Sequence, residues 1–111
     1  MDRIKDQINV SGYKVWPREV EDVLYEHPAV LEAAVVGVPD EYRGESVAAY
    51  VSVKDGHSAQ ADELISFARN RLAPYKRPRT VNIVAELPKT QTGKIRRAAL
   101  RDRGEGNRPP G

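Results

Sequence analysis

The sequence predicts a small α+β domain with an N-terminal two-stranded hairpin and a central, mostly three-stranded sheet covered by helices. Two observations lead to this class. Segments rich in β-branched residues alternate with segments whose apolar residues recur at helical spacing. Prolines and glycines separate these segments at short intervals, as turns and connectors do. At 111 residues the chain has the length of one domain with its own core.

The first elements are a hairpin and a short amphipathic helix. Residues 4–15 alternate apolar and polar side chains around Ser11 and Gly12, which predicts a hairpin that turns at the glycine. Pro17 suits the first turn of a helix, because its fixed φ is helical and its missing N–H would be unpaired there. Pro28 ends the helix.

Two neighbouring strands and a second helix follow. Residues 30–38 and 46–53 are rich in β-branched side chains, and turn-forming residues lie between them. Ser58 is a suitable N-cap for a helix whose apolar residues repeat at helical spacing to Leu72. We expect this helix to pack on the sheet.

The last third of the chain predicts a connector, a strand, a loop and a helix. Residues 73–78 contain two prolines and predict irregular structure, and residues 80–87 predict the third strand. Residues 87–94, LPKTQTGK, form a loop, and a helix then begins at Ile95 with Ala98 and Ala99 facing inward with it. We place the domain at residues 1–103 and a flexible tail at residues 104–111.

Composition excludes several kinds of site. The chain has no cysteine, which rules out disulfides and thiolate metal ligands and agrees with a reducing, cytoplasmic environment. His27 and His57 are the only histidines, lie far apart in sequence and are interpreted as surface residues, so we expect no metal site. No apolar run approaches the roughly 20 residues that span a bilayer, and we expect no membrane span.

Basic residues crowd the C-terminal end, although the net charge is only +2. They indicate either an anionic partner or a solvated basic face. Nucleic-acid binding is disfavoured, because no aromatic residue for base stacking lies among them. The residues concerned are Lys94, Arg96, Arg97, Arg101 and Arg103.

Lys94 is the strongest candidate for chemistry. Its ammonium group is a compact charge on a flexible stem, suited to a phosphate or a carboxylate, and Gly93 lets the backbone approach a ligand closely. A Walker A loop would require a glycine five residues before Gly93, and Pro88 occupies that position. The loop is therefore not a P-loop, and an ordinary exposed lysine remains the alternative.

Four segments in order make the chain resemble the C-terminal domain of the adenylate-forming, AMP-binding acyl- and aryl-CoA synthetase family. The resemblance covers residues 2–101, and the form of its first motif is most similar to fatty acyl-CoA ligases. The four segments are DRIKDQINVSGYKVWPREVE, HPAVLEAAVVGVPDEYRGE, LAPYKRP and LPKTQTGKIRR.

The resemblance implies a reaction in two steps. Such an enzyme joins a carboxylate to ATP, giving an acyl-adenylate and pyrophosphate, and then rotates its C-terminal domain so that CoA can attack the adenylate. Lys94 matches the lysine that contacts the carboxylate and the α-phosphate during adenylation. Arg3 matches an arginine near the nucleotide ribose, and Lys5 matches the hinge residue. An exposed polar first strand would explain Arg3 and Lys5 equally well.

The resemblance also implies residues for CoA. Ser11, Gly12, Tyr13 and Lys14 match the loop that lines the pantetheine tunnel in the thioester-forming state. Arg69 aligns with a basic position that some members use for the CoA phosphates. Without the family, Gly12 is interpreted as a turn residue and Arg69 as a solvated helix arginine.

The sequence has no counterpart of the large N-terminal AMP-binding domain, which carries the acyl pocket, the nucleotide site and the acidic residues expected to hold Mg²⁺. We therefore expect this chain to be inactive alone and to need that domain as partner, with fatty acid, ATP and CoA as substrates. An excised domain, a truncated product and a separate small protein fit equally well. The alternatives are a ligase for an aromatic or other acid, and a non-catalytic binding or regulatory module.

Overall fold

The structure, a computed structural model, describes residues 6–106 of the chain. The hairpin, the first helix and the order of the later elements follow the prediction, and a 3₁₀ turn at Pro74–Lys76 lies in the proline-rich connector. The elements are β1 (Ile8–Val10), β2 (Tyr13–Val15), α1 (Pro17–Tyr25), β3 (Val30–Asp40), β4 (Gly44–Val53), α2 (Ala61–Arg69), β5 (Thr80–Ile83) and α3 (Arg97–Gly106).

The five strands form one sheet, in the order β2-β1-β4-β3 with β5 also paired to β4. β3 and β4 form a long antiparallel pair. β1 joins β4 through Val10 and Gly44, so the hairpin is continuous with the sheet. β5 runs parallel to β4, and such a pairing needs a crossover connection, which α2 provides. The predicted α+β class is confirmed.

The turn between β1 and β2 requires the residues found there. Ser11 has a φ of 51° and Gly12 a φ of 86°. Positive φ at both central residues is typical of the two-residue turn that matches the twist of antiparallel strands. The Ser11 N–H donates to the Arg43 carbonyl oxygen at 2.8 Å. This bond ties the tip of the hairpin to the loop before β4.

Alternating side chains divide the core between the two faces of the sheet. Val35, Ala49 and Val51 face a first core cluster with apolar residues of α1 and α2. Val36 and Tyr50 face a second core cluster that α3 and residues 84–95 cover. The sheet therefore carries helices on both faces. The second cluster consists of Ala34, Val36, Ala48, Tyr50, Leu87 and Leu100, with Val38, Val84 and Ile95 packed against it.

Helix α1 covers the open edge of β3. Glu21 accepts the Val35 N–H at 2.8 Å, and the Tyr25 hydroxyl bonds both backbone groups of Ala33. Residues four apart on a helix and two apart on a strand share a side, which is why both contacts form together. They satisfy backbone groups that β4 does not, and they protect an edge that would otherwise be open to another strand.

The structure corrects the predicted limits of α2 and β5. α2 begins at Ala61 with Gln60 at the N-cap, so Ser58 is not the cap, and the helix ends at Arg69. Packing of Leu64 and Ala68 against the sheet sets this length, as tertiary contacts commonly do for a short helix. β5 ends at Ile83, because the chain then leaves β4 and directs Leu87 into the second cluster.

The last helix also differs from the prediction. α3 begins at Arg97, which makes Leu100 its fully buried residue and leaves Ala98 exposed, while Ile95 packs from the preceding loop. The helix continues to Gly106, so the boundary placed at residue 103 falls inside it. The rest of the predicted tail lies outside the described residues.

The expectation of two surface histidines is right for His57 and wrong for His27. The Nδ1 atom of His27 accepts the Ala29 N–H at 3.1 Å, and Nε2 lies 2.8 Å from the Glu63 carboxylate. The buried ring therefore joins the end of α1 to α2.

Candidate functional site

The loop that carries Lys94 is closed by its own hydrogen bonds. The Thr90 N–H donates to the Lys94 carbonyl at 2.7 Å, and the Gly93 N–H donates to the Thr90 carbonyl at 2.9 Å. The Lys94 N–H donates to the Thr90 hydroxyl at 3.2 Å. Gly93 has a φ of +88°, a conformation that disfavours side chains. The sequence Thr-x-Thr-Gly-Lys therefore makes a tight turn that leads into Lys94.

Both ends of this loop are fixed to the sheet. Lys89 pairs with Glu32 of β3 at 3.0 Å, and the Arg96 N–H donates to the Pro88 carbonyl at 2.9 Å. Ile95 packs into the second core cluster. Lys94 itself is exposed, and no ion pair between described residues includes it. The anchored loop thus presents Lys94 to its surroundings, with Arg96 also exposed two residues later.

A second candidate site lies beside the hairpin turn. A cavity of about 530 Å³ opens between the turn, the start of β4, helix α2 and the proline-rich connector. Tyr13 and Tyr75 stack at its wall, with ring centroids 4.7 Å apart. Three predicted CoA residues line it, Ser11, Tyr13 and Arg69. The cavity therefore brings together Ser11 and Tyr13 of the hairpin and Arg69 of α2, which are distant in sequence.

Four guanidinium groups make this cavity strongly cationic. They belong to Arg43, Arg69, Arg77 and Arg79. Asp40 is the nearby counter-charge, 3.4 Å from Arg43 and 4.0 Å from Arg79. The backbone N–H groups of Tyr42 and Arg43, followed by the two arginines, hold the Asp40 pKa below its ordinary value. Arginines outnumber the carboxylate, so the cavity suits phosphate groups, which guanidinium binds through paired hydrogen bonds.

Two of the predicted CoA residues lie outside the cavity wall. Gly12 forms the turn but is not among the lining residues, and Lys14 is exposed on β2 opposite Asn9. Gly12, with its positive φ, forms the turn between two lining residues, Ser11 and Tyr13. Arg3 and Lys5, the predicted nucleotide and hinge residues, lie outside the described residues.

Sequence reasoning missed several lining residues. Tyr75 and Arg77 belong to residues 73–78, interpreted as a connector and matched to the family without a site role. Arg79 follows this segment directly, and Arg43 belongs to a turn. The signal for anion binding is the concentration of arginine in irregular segments, at Arg43, Arg77 and Arg79, with Tyr75 beside them. Their proximity depends on contacts between segments that are distant in sequence, which no local pattern reveals.

Within residues 6–106, no group of three or more His, Cys, Asp or Glu side chains is placed to hold a metal ion. No helix in this part of the chain has the length and apolarity to cross a membrane.

Comparison with known proteins agrees with this architecture. The family model of the AMP-binding enzyme C-terminal domain matches residues 19–94. The long-chain-fatty-acid–CoA ligase of Bacillus subtilis is 56% identical over 99 residues, which are 89% of this chain and 18% of the ligase. The Mycobacterium tuberculosis fatty acyl CoA synthetase superposes with a TM-score of 0.88 at 37% identity, over 97% of this chain and 21% of that one. ATP-bound MatB from Rhodopseudomonas palustris gives 0.87 at 33% identity, over 91% and 20%.

The chain belongs to the family of AMP-binding enzyme C-terminal domains. The match ends on Lys94, the residue that the Thr90–Gly93 turn presents. The chain spans about a fifth of the length of the relatives named above. The resemblance drawn from the four sequence segments is thereby confirmed.

Proposed function

We propose that this chain is the mobile catalytic domain of an ATP-dependent fatty acyl-CoA ligase. In the first half-reaction the acid carboxylate attacks the α-phosphorus of ATP, forming an acyl-adenylate and releasing pyrophosphate. In the second, the CoA thiol attacks the acyl carbon, forming acyl-CoA and releasing AMP. The sequence similarity to fatty acyl-CoA ligases supports the choice of acid.

One observation carries the proposal: the two charged sites lie on opposite faces of one sheet. The Lys94 loop packs through Ile95 on the second core cluster. The arginine-lined cavity is bounded by Val10, Val47 and Ile65, which belong to or pack against the first core cluster. A single orientation of the domain cannot direct both faces at one active site. Two half-reactions with the domain in two orientations use both.

Lys94 serves the first half-reaction in this proposal. Adenylation brings a carboxylate against the phosphates of ATP, so two anions must approach each other. A positive charge held on a preformed loop stabilises the charge that develops in the transition state. The internal hydrogen bonds of the Thr90–Gly93 turn fix the backbone of Lys94 before the substrates arrive, which lowers the cost of reorganisation.

The arginine-lined cavity serves the second half-reaction. CoA carries several phosphate groups at its nucleotide end, and guanidinium groups bind phosphate in a forked geometry. Arg69 and the three further arginines supply these donors. Ser11 and Tyr13 lie at the same cavity. The Ser11–Gly12 turn, with Lys14 following it on β2, then leads the pantetheine arm toward the acyl-adenylate.

The rest of the active site lies outside the described residues. A large N-terminal AMP-binding domain would supply the acyl pocket, the adenine site and the acidic ligands of Mg²⁺. Lys5 would be the hinge between the two domains, and Arg3 would approach the ribose. We expect the ligase to act in the cytoplasm.

The test uses a fusion ligase, in which the large domain of the Bacillus subtilis ligase precedes residue 1 of this chain. Lys94→Ala should lower acyl-adenylate formation, measured by pyrophosphate release, by about 10²–10³-fold. Thioester formation from supplied acyl-adenylate, measured by CoA consumption, should stay unchanged.

Lys54 provides the matched control, because it is an exposed lysine at the far end of β4. Lys54→Ala should change neither half-reaction. An equal loss of both half-reactions in Lys94→Ala would contradict the role of Lys94. A fusion that binds ATP and CoA without forming AMP would instead favour a non-catalytic module.

A further inference from the structure

Arg97 lies where helices α1 and α3 and the start of the described chain meet. It is the first residue of α3 and follows Lys94 by three positions. Its guanidinium bonds Glu21 of α1 through two nitrogens, at 2.9 Å and 2.5 Å. A third nitrogen lies 4.0 Å from the Asp6 carboxylate. One side chain therefore joins α1, α3 and residue 6.

The pair with Glu21 holds Arg97 in one position. Glu21 is buried, and its Oε2 atom also accepts the Val35 N–H of β3 at 2.8 Å. A buried carboxylate needs such donors, because losing them leaves a charge without solvation. The forked contact restricts the guanidinium plane as well as its distance. Arg97 is thus locked to the edge of the sheet.

Asp6 extends the lock toward the predicted hinge. Its carboxylate lies 3.0 Å from Arg101, one helical turn beyond Arg97, so that Asp6 contacts two arginines on one side of α3. Asp6 is the residue directly after Lys5, the predicted hinge. Asp6, the residue after the predicted hinge, is therefore ion-paired with α3, the helix that follows the Lys94 loop.

We infer that Asp6, Glu21, Arg97 and Arg101 form a positioning network that fixes the Lys94 loop relative to the hinge. This inference rests on the proposed function. The Arg96 N–H donates to the Pro88 carbonyl and so closes the base of the loop. The next residue, Arg97, is held by Glu21. When the domain turns at the hinge, the network moves Lys94 and the hinge segment as one body. Small errors in placing a catalytic group are costly, and the network limits them.

The test uses Asp6→Asn and Arg101→Gln in the fusion ligase. Neither residue is fully buried, and the Glu21–Arg97 pair stays intact, so both variants should fold; thermal unfolding checks this. Each should lower the turnover of adenylation about tenfold, with the KM for ATP unchanged. Thioester formation from supplied acyl-adenylate should be unaffected.

A double-mutant cycle with Lys94→Ala separates positioning from a general effect. If Asp6 acts through Lys94, Asp6→Asn should have no further effect in the Lys94→Ala background, measured by single-turnover adenylate formation. The same tenfold loss in both backgrounds would overturn the inference, and so would full activity of Asp6→Asn alone. A Lys94→Ala variant with normal adenylation would instead refute the proposed function.

Glu63→Gln is the matched control. It neutralises the carboxylate of the His27–Glu63 pair, which joins the chain just after α1 to α2, away from the Lys94 loop. This variant should keep normal adenylation. A tenfold loss in Glu63→Gln as well would show that any weakened ion pair slows the enzyme, and it would overturn the inference.

Discussion

The Lys94 loop and the arginine-lined cavity are built in different ways. The loop is closed by hydrogen bonds within residues 88–96 and presents the exposed Lys94 at its turn. The cavity is assembled from residues 10–13, 43–47, 65–69 and 74–79 and offers four guanidinium groups. One site is local in sequence, and the other depends on the whole fold.

This difference matches the two tasks proposed for them. A point charge can complete a reaction centre only when another part of the enzyme holds the substrates. A concave site with several charged donors can hold part of a ligand by itself. In the proposed function, the chain therefore carries one contributor to catalysis and one partial binding site, on opposite faces of its sheet.

The largest effect on stability should come from Arg97, which connects the loop to the fold. Arg97→Ala should lower the free energy of unfolding by about 3–5 kcal/mol, because it leaves the Glu21 carboxylate buried without its partner. Denaturant unfolding of the 111-residue chain measures this. Arg69→Ala, at an exposed position of the cavity, should change stability by at most about 0.5 kcal/mol. Similar losses of unfolding free energy in the two variants would contradict the view that Arg97 stabilises the fold whereas Arg69 is free to bind a ligand.

The two turn glycines give a sharper comparison. Gly93 and Gly12 have nearly equal φ angles of +88° and +86°, and a Cβ atom at either would meet no atom within 4 Å. Replacing either glycine by alanine should therefore cost about 1–2 kcal/mol from backbone strain alone. Urea unfolding should give similar losses for both variants.

Their effects on activity should diverge. In the fusion ligase, Gly93→Ala should slow adenylation, and Gly12→Ala should slow thioester formation. If both variants slow the same half-reaction, the assignment of one turn to each step is wrong.

The smallest effect concerns the rim of the cavity. The Asp40 pKa is lowered by the N–H groups of Tyr42 and Arg43 and by nearby arginines, so the ionised form stabilises the fold. This contribution is complete above the ordinary value, about 3.9, and is lost as the pH falls through the lower folded pKa. Asp40→Asn should be slightly less stable at neutral pH and should lose less stability below about pH 4. Thermal unfolding against pH measures this, with the exposed Asp55→Asn as control.

The sequence predicted what depends on local pattern. The hairpin turn, the start of α1 at Pro17 and the Lys94 loop each follow from a few adjacent residues. The pairing of hairpin and sheet, the burial of Leu100 and the role of Arg97 depend on contacts between distant segments. The sequence predicts no ion pair for Arg97, because nothing near it in sequence indicates that Glu21 lies within 3 Å.

The residues that line the cavity show the same limit of prediction from sequence. Ser11, Tyr13 and Arg69 were assigned through the family resemblance, and the structure brings them together. Arg43, Arg77 and Arg79 complete the positive wall, yet each lies in a turn or connector without periodicity. Charged residues in irregular segments can be recognised from sequence, but the direction in which their side chains point cannot.

The central claim is that the two faces of the sheet serve different half-reactions. The most direct measurement compares Lys94→Ala with the double variant Arg69→Ala and Arg79→Ala in the fusion ligase, with both half-reactions assayed separately. Lys94→Ala should lose adenylation and keep thioester formation, whereas the arginine variant should keep adenylation and raise the KM for CoA about tenfold. Loss of the same half-reaction in both variants would contradict the claim.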